Sequence, residues 1–204
     1  MLLHVCCGPC AALPILGDEW KQEDITGLFY NPNIHPSDEF ARRMNGAAEL
    51  FEKARLPLII KDNYMQREWE LFEESGGCGG SGDNGGNGGS GGDNGGSGDK
   101  NARCEMCYTI RMSYTAATAK EKGFDAFSTT LLVSPYQNRC AIISICESLS
   151  KQYSVSFACW DGRPRFREGQ KIAQKLGLYR QKYCGCIFSM RERNNSVKHA
   201  LFQQ

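Results

Sequence analysis

The N-terminal segment of the chain reads Leu2-Leu3-His4-Val5-Cys6-Cys7-Gly8-Pro9-Cys10. Its first half, residues 2–6, is a short apolar run, which predicts a buried strand. Its second half, residues 7–10, predicts a turn that leads into a helix, and Pro14 must lie near the first turn of that helix or kink it. The segment therefore predicts a strand that ends beside a group of three cysteines.

Strand-like and helix-like patterns alternate along the rest of the chain. They predict strands over 24–30, 58–60, 126–132 and 155–159, and helices over 37–55, 64–74, 104–122 and 135–151. Ser134 is predicted as the N-cap of the last helix, because residues 134–137 have the pattern of a capping box. The order predicts an α/β fold, a Rossmann-like (HUP-like) sandwich around a mainly parallel sheet, as a single catalytic domain over 1–204.

Three segments with chemically active side chains each follow a predicted strand. They are the cysteines after the first strand, the loop 31–36 after the second, and the turn 134–137. Ligands collect at the carboxyl ends of the strands in sheets of this kind. We therefore expect the three segments to converge on one face of the sheet.

Residues 75–102 differ in composition from the rest of the chain. Up to Asp99 they consist almost entirely of Gly, Ser, Asn and Asp, with Cys78 as the one cysteine. Such a stretch cannot bury enough apolar surface to offset the entropy lost on ordering. We predict a flexible, disordered low-complexity insertion within the domain, in which Cys78 is exposed and has no function.

The overall charge limits the classes of partner. The 204 residues include 24 basic and 23 acidic side chains, a net charge of +1, which excludes binding of nucleic acid by bulk charge but leaves room for a local basic patch. No apolar run approaches the roughly 20 residues that span a bilayer, and the N-terminus lacks the pattern of a signal peptide. We expect no membrane association and a reducing, cytoplasmic location.

Cysteine is the main chemical signal in this sequence. There are 11 cysteines, about 5% of the residues and below the roughly 8–10% of a disulfide scaffold. Clustered cysteines in a reducing compartment indicate metal binding or redox catalysis more often than cross-links. Three groups stand out: Cys6-Cys7 with Cys10, Cys104-Glu105-Met106-Cys107, and Cys184-Gly185-Cys186.

The first two groups together offer four thiolates in two pairs. Such a set suits either a [4Fe–4S] cluster or an all-cysteine zinc site. The iron–sulfur alternative is favoured, because the side chains of the adjacent Cys6 and Cys7 diverge and reach two irons of a cube more easily than one zinc. Cys10 could replace one of the ligands.

The third group has a different geometry. In an extended segment Cys184 and Cys186 lie on the same face, with Cα atoms roughly 6.5 Å apart, near the upper limit for a disulfide. A bridge there would be easily reduced, which favours a labile redox pair. The pair could also bind a metal or could be two small buried residues at the end of a strand.

Other cysteines and histidines fit structural roles. Cys140, Cys146 and Cys159 lie within helix or strand patterns and are predicted to pack in the core. His4, inside the first strand, is predicted as a core histidine. Basic and aromatic residues interleave from Arg163 to Arg193, which is compatible with reading a single-stranded RNA loop or with a solvated helix face.

Taken together, the motifs resemble the iron–sulfur, cobalamin-independent epoxyqueuosine reductases, the QueH family. The resembling segments, in order, are 4–10, 30–36, 103–108, 123–137 and 179–186. They span nearly the whole chain in the order of the family. The insertion before Cys104 and the short first helix with Pro14 depart from the family pattern.

The resemblance implies an activity, a cofactor and a partner. The epoxide of epoxyqueuosine, in the wobble position of tRNA, would be reduced to the alkene of queuosine, the final step of queuosine biosynthesis. It implies that Cys6, Cys7, Cys104 and Cys107 ligate a [4Fe–4S] cluster, and that Cys184 and Cys186 form a redox-active pair. An unidentified electron donor is also implied. We expect the tRNA to contact Asn31, His35, Tyr136, Gln137, Arg180 and Tyr183.

Epoxide opening also needs an acid that stabilises the developing alkoxide. A cluster with four cysteine ligands has no open iron, so a proton donor or a second metal is required. Cys184, Cys186 and Asp161 could hold a second iron, and Cys10 is a further candidate catalytic thiol.

The main alternative to the reductase is a zinc-stabilised tRNA-binding module without catalysis. An ATP-dependent tRNA sulfur-transfer enzyme would need a phosphate-binding loop where residues 6–10 now lie. A thiol–disulfide oxidoreductase would leave the other cysteine groups unexplained.

Overall fold

The computed structural model describes residues 1–17, 20, 24–64, 67, 69, 71 and 100–201, with backbone alone for 100, 101 and 196–201. Five parallel strands form one sheet in the order β3-β2-β1-β4-β5. The strands are β1 (Leu2–His4), β2 (Thr26–Tyr30), β3 (Leu58–Lys61), β4 (Ala126–Thr129) and β5 (Ser156–Phe157). The parallel pairing and the helices between the strands confirm the predicted α/β, Rossmann-like fold.

Six helices of the described residues flank this sheet. They are α1 (Gly8–Leu16), α2 (Ser37–Ala54), α3 (Lys100–Glu121), α4 (Arg139–Tyr153), α5 (Phe166–Lys175) and α6 (Ile187–Leu201). Two 3₁₀ turns, Thr130–Val133 and Arg163–Arg165, join strands to helices. Within the described part of the chain, no helix is both long and apolar enough to cross a membrane.

The core has two layers, one on each face of the sheet. Leu2 of β1 packs with Met112 of α3 and Ile142 of α4 on one face. Leu3, the next residue along β1, packs with Leu50 of α2 on the other. Because successive side chains of a strand alternate between faces, a central strand covered on both sides is apolar throughout. This is why residues 2–6 form a continuous apolar run.

The chain differs from the prediction after β4. The predicted strand 126–132 ends at Thr129, whose hydroxyl accepts a hydrogen bond from the Leu131 backbone N–H and so favours the 3₁₀ turn. The predicted N-cap Ser134 was wrong, because residues 134–137 form a turn. Helix α4 begins at Arg139, and Asn138 caps it by accepting a hydrogen bond from the backbone N–H of Ala141 at 3.2 Å.

The structure also differs from the predicted bounds of the last strand and from the predicted burial of two cysteines. The last predicted strand, 155–159, is shorter in the structure, at Ser156–Phe157. Cys146 is buried as predicted, but Cys140 and Cys159 are exposed, so their predicted core packing was wrong. Position 140 lies in the first turn of α4 and position 159 lies beyond β5, where nothing covers either side chain completely.

Cys78 lies outside the described residues. So does the predicted insertion 75–102, except for residues 100–102 at its end. Helix α3 begins at Lys100, four residues before the predicted start at Cys104. Within the predicted helix 64–74, residues 67, 69 and 71 are helical, Tyr64 is not helical, and the other residues lie outside the described part of the chain.

Candidate functional site

A cavity of about 330 Å³ opens at the carboxyl ends of the central strands. The turn after β1 contributes Cys6 to its wall, the first turn of α1 contributes Cys10, and the loop after β2 contributes Asn31. The turn after β4 contributes Gln137, and the segment before α6 contributes Cys184. The convergence of three strand ends that the sequence predicted is therefore present, and a C-terminal segment completes the site.

Three thiols form a compact group on one wall of this cavity. The Sγ atoms of Cys6, Cys7 and Cys10 all lie within 4.8 Å of one another, and this group could hold a metal ion. Thr130 fixes Cys6: its hydroxyl accepts from the Cys6 backbone N–H at 3.0 Å and donates to the Cys6 Sγ at 3.3 Å. The side-chain amide of Gln181 donates to the Cys7 Sγ at 3.0 Å.

The three thiols differ in how readily they ionise. Hydrogen bonds from Cys10 and Cys7 hold the pKa of Cys6 well below its ordinary value. Burial raises the pKa of Cys7, and the hydrogen bond to Cys6 raises the pKa of Cys10. Ionisation in this group is therefore favoured at Cys6 over Cys7 and Cys10. A thiolate is the form in which sulfur binds a metal.

A second set of thiols lies on α3, where Cys104 and Cys107 are three residues apart and so share a helix face. Burial raises the pKa of Cys107 to about 12, and the neighbouring Arg111 guanidinium partly opposes this rise. Burial also raises the pKa of Cys104, and the negative charges of the nearby Cys184 and Cys186 raise it further. The structure therefore places Cys104 and Cys107 near the third cysteine group.

The two sets do not merge into one tight ligand group. Among the described residues, Cys6, Cys7 and Cys10 are the only group of three or more that brings its ligand atoms within 4.8 Å. The predicted ligands Cys104 and Cys107 lie outside that limit, whereas Cys10 lies within it.

Two buried arginines place positive charge beside the thiols. Arg43 and Arg111 are 2% and 3% exposed, and both line the cavity. Arg111 donates from Nε to the Cys107 carbonyl at 3.2 Å and from Nη1 to Asn31 Oδ1 at 3.4 Å. Its buried Nη2 has no hydrogen-bond partner among the described residues. A buried cation with an open donor favours an anionic group in the cavity.

Cys184 and Cys186 face different surroundings. Cys184 lines the cavity, and its Sγ accepts a hydrogen bond from the Gln137 amide at 3.4 Å. The Cys186 Sγ lies 3.4 Å from the Ser189 hydroxyl at the start of α6. Gly185 between them has φ of +130°, and residues 185 and 186 form a bend, so the geometry of an extended segment does not apply here. None of the ten described cysteines forms a disulfide.

The predicted tRNA-contacting residues fall into two sets. Four of them line the cavity: Asn31, Tyr136, Gln137 and Tyr183. Tyr136 is 84% exposed at the rim and packs edge-on against Phe166. His35 is buried and Arg180 is exposed, and neither side chain lines the cavity. The Arg180 Nε donates to Gln170 at 3.3 Å.

Asp161 does not lie in the cavity wall. Both of its carboxylate oxygens accept hydrogen bonds from Arg163, at 2.8 and 2.6 Å, and Arg139 lies 3.7 Å away. These arginines lower the pKa of Asp161 to about 2, chiefly through the Arg163 hydrogen bond. The structure gives Asp161 a role in pairing these arginines and lends no support to the predicted metal-ligand role.

Several residues of the site were missed in the sequence. They are Thr130, Gln181, Arg43 and Arg111. A signal was present for two of them, because Arg111 follows Cys107 by four residues and Arg43 follows Glu39 by four, a spacing that places each pair on one helix face. His4 is buried as predicted and contacts the Thr129 hydroxyl at 2.9 Å.

Comparisons with known proteins identify similar sequences. The sequence profile described as "Epoxyqueuosine reductase QueH" matches residues 1–78 and 93–192. An epoxyqueuosine reductase QueH of Dehalococcoides mccartyi is 31% identical, covering 95% of this chain and 93% of the relative. The epoxyqueuosine reductase QueH of Thermotoga maritima is 31% identical and covers 98% of this chain and 94% of the relative. That of Acinetobacter baylyi is 30% identical and covers 95% of this chain and 82% of the relative.

Proposed function

The chain belongs to the epoxyqueuosine reductase QueH family, a family of oxidoreductases, and we propose that it reduces epoxyqueuosine in tRNA to queuosine. The reaction takes two electrons and two protons, converts the epoxide to an alkene and releases the oxygen as water. The observation that carries the proposal is the cavity, which has the Cys6 group on one wall and Cys184 on another. Reducing groups thus surround a space in which one nucleoside can react.

The cofactor of the proposal is a [4Fe–4S] cluster held by Cys6, Cys7, Cys104 and Cys107, which when bound would supply electrons to the substrate. The donor set fits, because thiolates are the ligands of such clusters. A cluster with four thiolates is anionic, and the buried Arg43 and Arg111 supply opposing charge. Cys10, which lies within the compact thiol group, is then a candidate ligand or a catalytic thiol.

Cys184 and Cys186 can together supply the two electrons that the reaction needs. Oxidation of their two thiols to one disulfide releases two electrons and two protons, the number that the epoxide consumes. Cys184 lines the cavity and so lies on the substrate side. An electron donor, of a kind that the proposal leaves open, would then return the pair to thiols.

The tRNA is proposed to enter through the rim of the cavity. A nucleotide of the anticodon loop can turn out without melting a duplex, which lowers the cost of placing its base in the cavity. The exposed Tyr136 ring offers a face for stacking, and Lys182 on the wall offers a positive charge for phosphate. We place the reaction in the cytoplasm, without a membrane partner.

A second iron near Cys184 and Cys186 stays part of the proposal as a source of the acid. Asp161 is an unsuitable third ligand, because Arg163 already engages both of its oxygens. Such an iron would need another oxygen or water ligand beside Cys184.

The test is anaerobic purification followed by measurement of iron, acid-labile sulfide and zinc per chain. We expect about four irons and four sulfides, and conversion of epoxyqueuosine in tRNA to queuosine by the reduced protein. Iron clearly above sulfide would support a second metal. The exposed Cys140→Ser is the control and should keep full metal and activity.

Stoichiometric zinc without sulfide, persisting after reconstitution with iron and sulfide, would support the zinc-stabilised tRNA-binding module instead. Loaded protein that binds the tRNA but forms no queuosine under any reductant would overturn the reductase.

A further inference from the structure

Arg43 joins helix α2 to the segment that contains Cys184. Its Nε donates to Glu39 Oε1 at 2.7 Å, its Nη1 to the Cys184 carbonyl at 2.8 Å and its Nη2 to the Tyr183 carbonyl at 3.0 Å. Each of its three nitrogens therefore has an acceptor. Because the guanidinium is planar and rigid, these three bonds fix the two carbonyls relative to α2.

Neighbouring contacts hold the same segment from two further sides. The second oxygen of Glu39 accepts a hydrogen bond from the Tyr179 hydroxyl. In the loop before α2, the His35 backbone N–H donates to the Gly185 carbonyl at 2.8 Å, and the His35 carbonyl accepts from the Tyr183 hydroxyl. Residues 179–185 are thus attached to the start of α2 at five points, three of which involve Arg43 or its partner carboxylate.

The attachment is buried, which makes its geometry costly to lose. Glu39 and Arg43 are 3% and 2% exposed. A buried ion pair is a weak source of net stability, since apolar residues of similar volume often serve as well or better. Two nitrogens of the Arg43 guanidinium donate to backbone carbonyls of the cysteine segment. These bonds instead fit a role in positioning that segment.

We propose that Arg43, oriented by Glu39, is a positioning residue that holds Cys184 at the cavity wall. The inference rests on the proposed function, because it takes Cys184 as the reducing thiol that faces the substrate. Lysine cannot replace Arg43 in this role, since one ammonium group cannot reach the carboxylate and both carbonyls with the same geometry.

The first test compares Arg43→Lys with Lys53→Arg in the full-length, cluster-loaded protein. Lys53 forms an exposed ion pair with Glu49 on the same helix, so the control exchanges the same two side-chain types outside the site. We expect hydrogen exchange of the backbone amides of His35 and residues 179–186 to accelerate about tenfold in Arg43→Lys, equal to about 1.4 kcal/mol. Amides of β1 and β2 should exchange as in the wild type.

The second readout is the thiol–disulfide equilibrium of Cys184 and Cys186 against dithiothreitol, followed by mass spectrometry of trapped peptides. We expect the equilibrium constant to shift in Arg43→Lys and to stay unchanged in Lys53→Arg. The rate of the single-turnover reaction should fall about tenfold while KM for tRNA stays within about threefold, since Arg43 acts through Cys184.

Unchanged exchange and an unchanged equilibrium in Arg43→Lys would overturn the proposal. If that variant does not fold, Glu39→Gln replaces it, because the amide keeps the shape of the carboxylate and removes its charge. Faster exchange of residues 179–186 in Glu39→Gln supports the proposal, and wild-type exchange overturns it. Exchange is measured without substrate, so a failure of the reductase assay in the wild type is a separate result.

Discussion

The side-chain amide of Gln181 lies 3.0 Å from the Cys7 Sγ, although the two residues are 174 positions apart in the chain. A hydrogen bond to a ligand sulfur stabilises the reduced, more negative state of a cluster. We expect Gln181→Leu to lower the midpoint potential of the proposed cluster by about 40 mV, which is equivalent to the loss of a net hydrogen bond of about 1 kcal/mol. Potentiometric titration measures this shift. An equal shift in the exposed control Gln152→Leu would contradict the assignment.

Substitution of single cysteines separates ligands from other thiols. Because the proposed ligands are Cys6, Cys7, Cys104 and Cys107, we expect Cys7→Ser to lose most of the iron and sulfide and Cys10→Ser to keep it. Metal and sulfide analysis of anaerobically purified variants gives the answer, with Cys140→Ser as the exposed control. If Cys10→Ser loses as much iron as Cys7→Ser while Cys107→Ser keeps it, the compact group Cys6, Cys7 and Cys10 is the metal site.

Gly185 has no room for a side chain. Its φ is +130°, and a Cβ there would lie 2.9 Å from Arg43 Nη1 and 3.3 Å from Ile34 Cγ1. We expect Gly185→Ala to lower the free energy of unfolding by about 2–3 kcal/mol through backbone strain and contact with the guanidinium. Gly123→Ala is the matched control, because Gly123 also has positive φ but nothing within 4 Å of the added Cβ. Urea denaturation that gives equal losses would show that Arg43 contributes nothing to the effect.

Tyr136 is expected to bind the nucleic acid by stacking. Its ring is 84% exposed at the rim of the cavity. Stacking of one base on an aromatic ring contributes about 1–3 kcal/mol, so Tyr136→Ala should raise KM for tRNA about tenfold or more, whereas Tyr136→Phe keeps the ring and should stay near wild type. Steady-state kinetics on epoxyqueuosine-containing tRNA separate the two variants. A loss in Tyr136→Phe as large as in Tyr136→Ala would assign the effect to the hydroxyl instead.

Stability at alkaline pH should depend on Cys146. Burial raises the pKa of this thiol from 9.0 to about 12 in the folded chain. The thiol therefore stays protonated in the folded state while it ionises in the unfolded state above pH 9. Its contribution to stability is complete below pH 9 and is lost between pH 9 and 12, at up to about 1.4 kcal/mol per pH unit.

The measurement is urea denaturation of the wild type and Cys146→Ala from pH 8 to 11. The variant should be less stable at pH 8 because of the cavity it creates, and its stability should fall less steeply above pH 9. Parallel curves would show that Cys146 ionises equally in both states. Thiol reagents at pH 8 should label the exposed Cys140 and Cys159 and leave Cys146 unmodified.

The sequence alone was sufficient to predict a parallel sheet and the edge of that sheet at which the cavity lies. A strand buried on both faces is a continuous apolar run, so residues 2–6 predicted a buried strand without any contact information. The carboxyl ends of parallel strands share one edge, so the convergence of Cys6 and Gln137 followed from topology alone.

Other features of the site depend on tertiary packing. Arg43 and Arg111 sit in helical patterns where an arginine normally faces solvent, and only the packing of α2 and α3 buries them. The start of α4 was predicted wrongly at Ser134, whereas the cap in the structure is Asn138, a residue type that also favours this position. Packing also decided that Cys140 and Cys159 face solvent, since small side chains occur in buried and exposed positions of the same pattern.

The bond between Gln181 and Cys7 also bears on how the protein is made. Ribosomes synthesise Cys6, Cys7 and Cys10 early and Gln181 and Cys184 late, so most of the chain is translated before the two walls of the cavity can meet. During nearly all of translation, Cys7 therefore lacks the Gln181 hydrogen bond and Arg43 lacks its Tyr183 and Cys184 carbonyl partners. We therefore expect stable metal binding by these thiols to follow translation of the C-terminal segment.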